Sequence, residues 1–202
     1  MPRVSEEYLE QRRREVLAAA RACFARKGFH ATSMREVLRE AGVSAGTVYR
    51  YFPKKEDLVI AIAQENLSVV ADTIESMMHR TPLPPLDQVI GEVFAVLQDH
   101  DDKLDIARLA LQVWAEAARS PELAVRVRAQ LSSIGDAFTQ LIRGYCYQRQ
   151  LPPDVSPEAV GATMTALLPG FFLQRVMLAD VSARTLQRGL RALLAISLAD
   201  HT

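Results

Sequence analysis

The stretch Ser33–Phe52, SMREVLREAGVSAGTVYRYF, leaves the chain few ways to fold. Ser33 followed by Glu36 is a capping box, in which the serine hydroxyl accepts from the backbone N–H three residues on and the glutamate reaches back. Val37, Leu38 and Ala41 recur at helical spacing and make one apolar face. Gly42 stands where that helix must end, because the left-handed C-cap conformation is sterically free only for glycine. Val43 packs the corner, and Ser44 is placed to cap a second helix, Ala45–Tyr51. Two short helices joined by a tight glycine-containing turn form a helix-turn-helix, whose second helix fits the DNA major groove. An ordinary helical hairpin inside an all-α protein has the same spacing, so the periodicity alone leaves both readings open.

The wider segment GFHATSMREVLREAGVSAGTVYRYFPKKEDL (Gly28–Leu58) resembles the DNA-binding region of TetR-family transcriptional regulators, and the likeness runs upstream through Val16-Leu17-Ala18-Ala19-Ala20. It is dense in motifs over about residues 10 to 70 and only architectural beyond. The resemblance implies an all-α protein of about nine helices, with an N-terminal three-helix DNA-binding domain over 1–55 that contains the helix-turn-helix 33–52. A helical effector-binding and dimerisation domain would follow over 56–202.

The resemblance also implies which residues meet DNA. Ala45, Gly46 and Thr47 would face base edges, since a helix entering the groove end-on needs small residues there. Ser44 lies at the same end. Tyr49, Tyr51 and Lys55 correspond to positions that contact phosphates, and Thr32 and Ser33 to a second phosphate clamp where backbone N–H groups favour an anion. Arg50 can reach either DNA or solvent. Val48 and Phe52 read as core.

Charge agrees with this division. The net charge is zero, but residues 1 to 55 carry twelve Lys/Arg against six Glu, +6, and the remainder twelve against eighteen Asp/Glu, −6. A basic head suits a phosphate backbone. Arg12-Arg13-Arg14 reads equally as a solvated helix face or as a phosphate or minor-groove contact.

The rest of the chain reads as helices. Ser5-Glu6-Glu7 starts the first, which runs to about Lys27 with Val16, Leu17, Ala20, Cys23 and Phe24 inward; Gly28 ends it and Phe29 plugs the head. Pro53 separates the recognition helix from a long fourth helix, about 54–79, broken by Thr81-Pro82-Leu83-Pro84-Pro85. Five further helices are expected near 86–98, 103–119, 121–149, 157–178 and 182–199. Ser120-Pro121-Glu122 and Ser156-Pro157-Glu158 are repeated start signals. Asp99-His100-Asp101-Asp102 reads as a polar loop, and Leu168-Pro169-Gly170 as a kink or local unwinding.

In the body, Phe94, Leu97, Trp114, Phe138, Met164, Phe172 and Met177 are candidate pocket lining, with Gln112, Trp114 and Tyr145 as polar handles. Each also reads as simple core. No buried carboxylate pattern stands out, which favours an apolar or aromatic effector over a lipophilic cation. By resemblance the last two helices, with Ala162, Thr163, Thr165, Ala166, Leu167, Phe171, Leu190, Leu193, Leu194 and Leu198, pair two copies through a four-helix bundle.

The expected function is a ligand-responsive regulator, by family default a repressor. It would bind a pseudo-palindromic DNA operator as a homodimer and be released by a small apolar or aromatic effector that shifts the fourth helix. The alternative is the same fold with no small-molecule effector, constitutive or controlled by a protein partner. No nucleophile elbow, phosphate-cradling glycine loop or zinc motif supports an enzyme, and no metal or cofactor is expected. Cys23 and Cys146 read as reduced thiols. The charged N-terminus and the lack of a long apolar run fit a cytoplasmic protein.

Overall fold

The computed structural model describes residues 6–148, 154–178 and 181–199; the expected cap Ser5 lies outside them. Among the described residues there are nine helices: α1 Glu6–Ala31, α2 Met34–Ala41, α3 Ala45–Tyr51, α4 Lys55–Met78, α5 Leu86–Leu104, α6 Ile106–Ala117, α7 Pro121–Tyr147, α8 Pro157–Leu178 and α9 Ala183–Ala199. No strand occurs among these residues. Helical hydrogen bonding continues to Ala31, but Gly28 at φ 78, ψ 167 breaks α1 where the glycine was expected to end it. Ser120 and Ser156 accept from Leu123 N and Ala159 N at 3.3 and 3.2 Å, as their caps require.

Two expectations are corrected. Asp99 to Lys103 is not a loop: α5 runs through it to Leu104, and the break falls at Asp105, whose φ is 50. The acidic residues stay helical because their side chains have partners. Arg175 from α8 holds both Asp101 and Asp102, and the His100 Nδ1 lies 3.1 Å from Asn66 Oδ1. Pro169 lies inside α8, which stays helical through it, so of the kink and the local unwinding expected there the unwinding does not occur.

The chain packs as two compact units, residues to Glu65 with Leu104–Val127, and Asn66–Lys103 with the residues from Arg128 on. The boundary expected at residue 55 marks the end of the three-helix head. The packing boundary lies ten residues later because Leu58, Val59, Ile60, Ala61 and Ile62 of α4 belong to the first unit's core. That core is built on the buried face of α1, Val16, Leu17, Ala20, Cys23 and Phe24, and takes in Phe29, Val37, Val48 and Phe52. Phe29 is 2 % exposed and packs on Phe24 at 5.7 Å between ring centroids, so it does plug the head. From α6 and α7 this core also takes Val113 and Leu123.

The second unit buries Ile74, Met77, Ile90, Phe94, Phe138, Leu141, Met164 and Phe171, with Phe94 edge-on to Phe171 at 4.9 Å. Phe171, expected at a dimer face, is therefore core. The Tyr145 hydroxyl donates to Pro84 O, and burial with the nearby Asp87 charge pushes that phenol up to about 12. Buried Asp87 is held by Arg191 at 2.7 Å, and buried Asp101 by Arg175. Two buried carboxylates thus exist where the sequence shows no such pattern, and both are answered by arginine.

Glycine substitutions separate tight from adaptable packing within this unit. A Cβ on Gly161 would meet Thr139, including its backbone N at 3.0 Å and Cα at 3.2 Å. On Gly91 it would meet only the end of the Gln187 side chain, 2.5 to 2.9 Å away. Alanine gains about 1 kcal/mol over glycine inside a helix. Gly161→Ala is nevertheless expected to lower stability by about 1–2 kcal/mol, through overpacking against backbone that cannot swing aside. Gly91→Ala should be neutral or stabilising. Urea unfolding of the two variants checks the opposite signs.

Candidate nucleic-acid interface

The helix-turn-helix forms as its residues dictate. Ser33 caps α2 with both halves of the capping box in place: Glu36 N donates to Ser33 Oγ at 3.3 Å, and Ser33 N donates to the Glu36 carboxylate at 2.9 Å. Gly42 closes the helix in the left-handed conformation, φ 63, ψ 24. Val48 and Phe52 are buried, 0 % and 4 % exposed, and anchor α3 in the core. That rotation turns Ala45, Gly46, Tyr49 and Arg50 outward, Tyr49 at 46 % exposure. The side chain of Thr47 lies outside the described residues, and Ser44 is exposed at the turn.

Beside α3 lies an open groove of about 510 Å³, lined by Arg12, Ser44, Gly46, Arg50 and Tyr51 among others. No described carboxylate pairs with Arg50. The neighbouring arginines are committed: Arg12 to Glu15 at 2.6 Å, Arg13 to Glu65 at 3.4 Å, and Arg26 to Glu40 at 2.6 Å. Arg14 is exposed. The free positive charge at this face is therefore smaller than the composition of residues 1–55 suggests.

Three of the residues aligned with phosphate-contacting positions are engaged inside the protein, and the hydroxyl of a fourth is buried. Thr32 is 2 % exposed, and its hydroxyl donates to Gly28 O at 2.8 Å, with Cys23 O at 3.2 Å. The Ser33 N–H is not free, being held by Glu36. The Lys55 ammonium donates to Phe29 O at 2.7 Å and stands 4.3 Å from the Phe29 ring centroid. The Tyr51 hydroxyl is buried without a partner among the described residues. The physical reason is common to the first three: the break at Gly28 and the start of α2 leave backbone groups to be paired, and nearby polar side chains satisfy them. Sequence reasoning missed Gln112 altogether at this site. Its Oε1 accepts from Phe29 N at 2.6 Å, from 83 residues away, and no local signal could have shown it.

Of the expected pocket residues, Phe94, Leu97, Phe138, Tyr145, Met164 and Phe172 are buried together in the second unit. Gln112 and Trp114 belong to the first unit, because α6 packs on α1. Met177 is 66 % exposed on the open side of α8 and lines no interior.

The Lys27 ammonium and then the Ser33 N–H and hydroxyl hold the Glu36 carboxyl at about 2, below its ordinary 4.5. A depressed carboxylate stabilises the fold fully above its unfolded value and loses that contribution as pH falls toward the folded one. The thermal midpoint of Glu36→Gln should therefore lie below that of the wild type at pH 7, with the gap closing between pH 4.5 and 2. A gap that widens in acid would contradict the cap. A second outcome follows from the arrangement of cations. Lys55→Ala should cost about 1–2 kcal/mol of stability, whereas Arg50→Ala should leave stability unchanged and lower the salt dependence of DNA binding by about one phosphate equivalent.

Comparison with known proteins gives a consistent picture. Residues 16–62 match the family model described as bacterial regulatory proteins, tetR family, and residues 85–199 the one described as BetI-type transcriptional repressor, C-terminal. The HTH-type transcriptional repressor Rv1474c of Mycobacterium tuberculosis is 38 % identical over 140 residues, 65 % of this chain and 70 % of that protein. Among solved structures, Salmonella enterica GusR superposes with a TM-score of 0.76 at 25 % identity, over 96 % of this chain and 100 % of that one. Thermus thermophilus FadR, described as a repressor in complex with lauroyl-CoA, gives a TM-score of 0.65 at 26 % identity, over 90 % and 93 %.

Proposed function

The chain belongs to the TetR family of bacterial regulatory proteins, and on that premise we propose that it is a repressor that binds a pseudo-palindromic operator as a homodimer and leaves it when a small apolar effector enters the body. The observation that carries the reading is the pose of α3. Val48 and Phe52 are anchored in the core while Ala45, Gly46, Tyr49 and Arg50 face solvent at the helix's open side. Small residues at the amino end permit close approach to base edges, and Arg50 supplies a cation with no ion-pair partner among the described residues. Specificity then rests on few base contacts and on DNA shape.

Dimerisation is supported by an exposed apolar stripe on α8: Ala162, Ala166, Leu173 and Met177 recur at three- and four-residue spacing or its multiples and all face solvent, Leu173 at 47 %. On α9, Leu193 and Leu194 are 66 % and 41 % exposed; Leu198 lies outside the described side chains. Apolar surface of this kind marks an interaction site. An apolar effector is supported by the aromatic core of the body and by the arginine partners of Asp87 and Asp101, which leave neither carboxylate to receive a cation. The acyl-CoA in the FadR complex is the same class of molecule at its acyl end. To release DNA the effector must bind the non-operator state better than the operator state.

The test selects duplexes from a random pool with the purified protein, then measures anisotropy across a salt series with and without saturated acyl-CoAs and aromatic compounds. Specific, salt-dependent binding weakened by one compound class is the expected result; specific binding that none of them moves would remove the effector from the reading. The Leu173→Glu, Leu193→Glu double variant should run as a monomer in light scattering and lose on the order of hundredfold in operator affinity, since half-site binding then lacks the second head.

A further inference from the structure

The peptide at Phe29 is held from both sides by residues distant in sequence. Gly28, at φ 78, breaks α1 just before Phe29. On one side the Phe29 N–H donates to Gln112 Oε1 at 2.6 Å, from α6. On the other, Lys55 at the start of α4 donates to Phe29 O at 2.7 Å and covers the ring. The fit at the break is close: a Cβ on Gly28 would stand 3.0 Å from Gln112 Oε1. Four residues after Phe29 the α2 cap begins, and α2 leads through Gly42 into α3.

We propose that Gln112 is a positioning residue for operator reading. It holds the Phe29 peptide in the break after Gly28, and so sets the direction in which the chain enters the helix-turn-helix. The inference rests on the DNA-binding reading above and adds to it an element outside the three-helix head: α6 becomes part of the operator-reading apparatus without touching DNA. The reason is local. The turn from Gly28 to Ser33 has few ways to satisfy its own polar groups, and the Thr32 hydroxyl already takes the Gly28 carbonyl. The Phe29 N–H lies beside a buried ring, where an unmet donor is costly, so its acceptor decides which conformation the turn keeps.

The test compares wild type, Gln112→Leu and Gln112→Glu in the full chain. Leucine keeps the bulk and removes the acceptor; glutamate keeps an acceptor. Hydrogen exchange at Phe29 and over residues 45–51 is read first, independently of any DNA. Phe29 should exchange at least tenfold faster in Gln112→Leu and near the wild-type rate in Gln112→Glu. Affinity is then measured for a duplex that the wild type has selected from a random pool. Gln112→Leu should bind about tenfold more weakly with an unchanged salt slope, and Gln112→Glu should restore binding. The unchanged slope separates a positioning role from a lost phosphate contact, and the rescue separates it from general destabilisation. If the wild type selects no duplex, the DNA-binding reading falls and takes this inference with it. If the wild type does select one, then slow Phe29 exchange in Gln112→Leu, undiminished affinity in that variant, or failure of Gln112→Glu to rescue overturns the role of Gln112 alone.

Discussion

A helix of seven residues has no stability of its own, because nucleation is unfavourable and too few hydrogen bonds follow it. The whole interface depends on how α3 is held. Val48 and Phe52, one turn apart, bind it to a core whose floor is the apolar face of α1 and whose walls come from α4, α6 and the first turn of α7. Everything that α3 presents outward follows from those two anchors. The long helices therefore serve the short one.

The polar groups of the head divide by the same logic. Those close to the broken end of α1 and to the α2 cap are drawn inward by unpaired backbone, as Thr32, Ser33 and Lys55 are. Those on the far side of α3 have no backbone to satisfy and stay open, as Arg50 does. Resemblance to a family assigns positions without knowing what each side chain is already bonded to in the free protein. Tyr51, whose hydroxyl is buried and unpartnered, shows the tension most directly: a buried phenol without a partner is destabilising by about 1–3 kcal/mol.

Local rules account for most of the fold. The capping box, Gly42 and the two Ser-Pro-Glu starts could be read directly, since each is settled by a residue and its near neighbours along the chain. The error at Asp99 to Asp102 came from treating acidity as a loop signal when Arg175, more than seventy residues later, neutralises two of the acids within the helix. A still longer separation in sequence hid Asp87 and its partner Arg191. Phe94, Phe138 and Phe172 are interior as their apolar character suggests, while Met177 shows that apolar character at helical spacing does not say which face is covered.

The sequence by itself determined the helices, their stops, the corner between α2 and α3, and the membership of a DNA-binding family, because caps, glycines and apolar periodicity act over a few residues. Tertiary structure alone decided that α6 and the start of α7 complete the first unit, that Gln112 holds the Phe29 peptide, and that several residues expected to contact phosphate are engaged within the protein. Those outcomes depend on which unpaired backbone group lies within 3 Å of which side chain. Spacing along the chain carries no record of that.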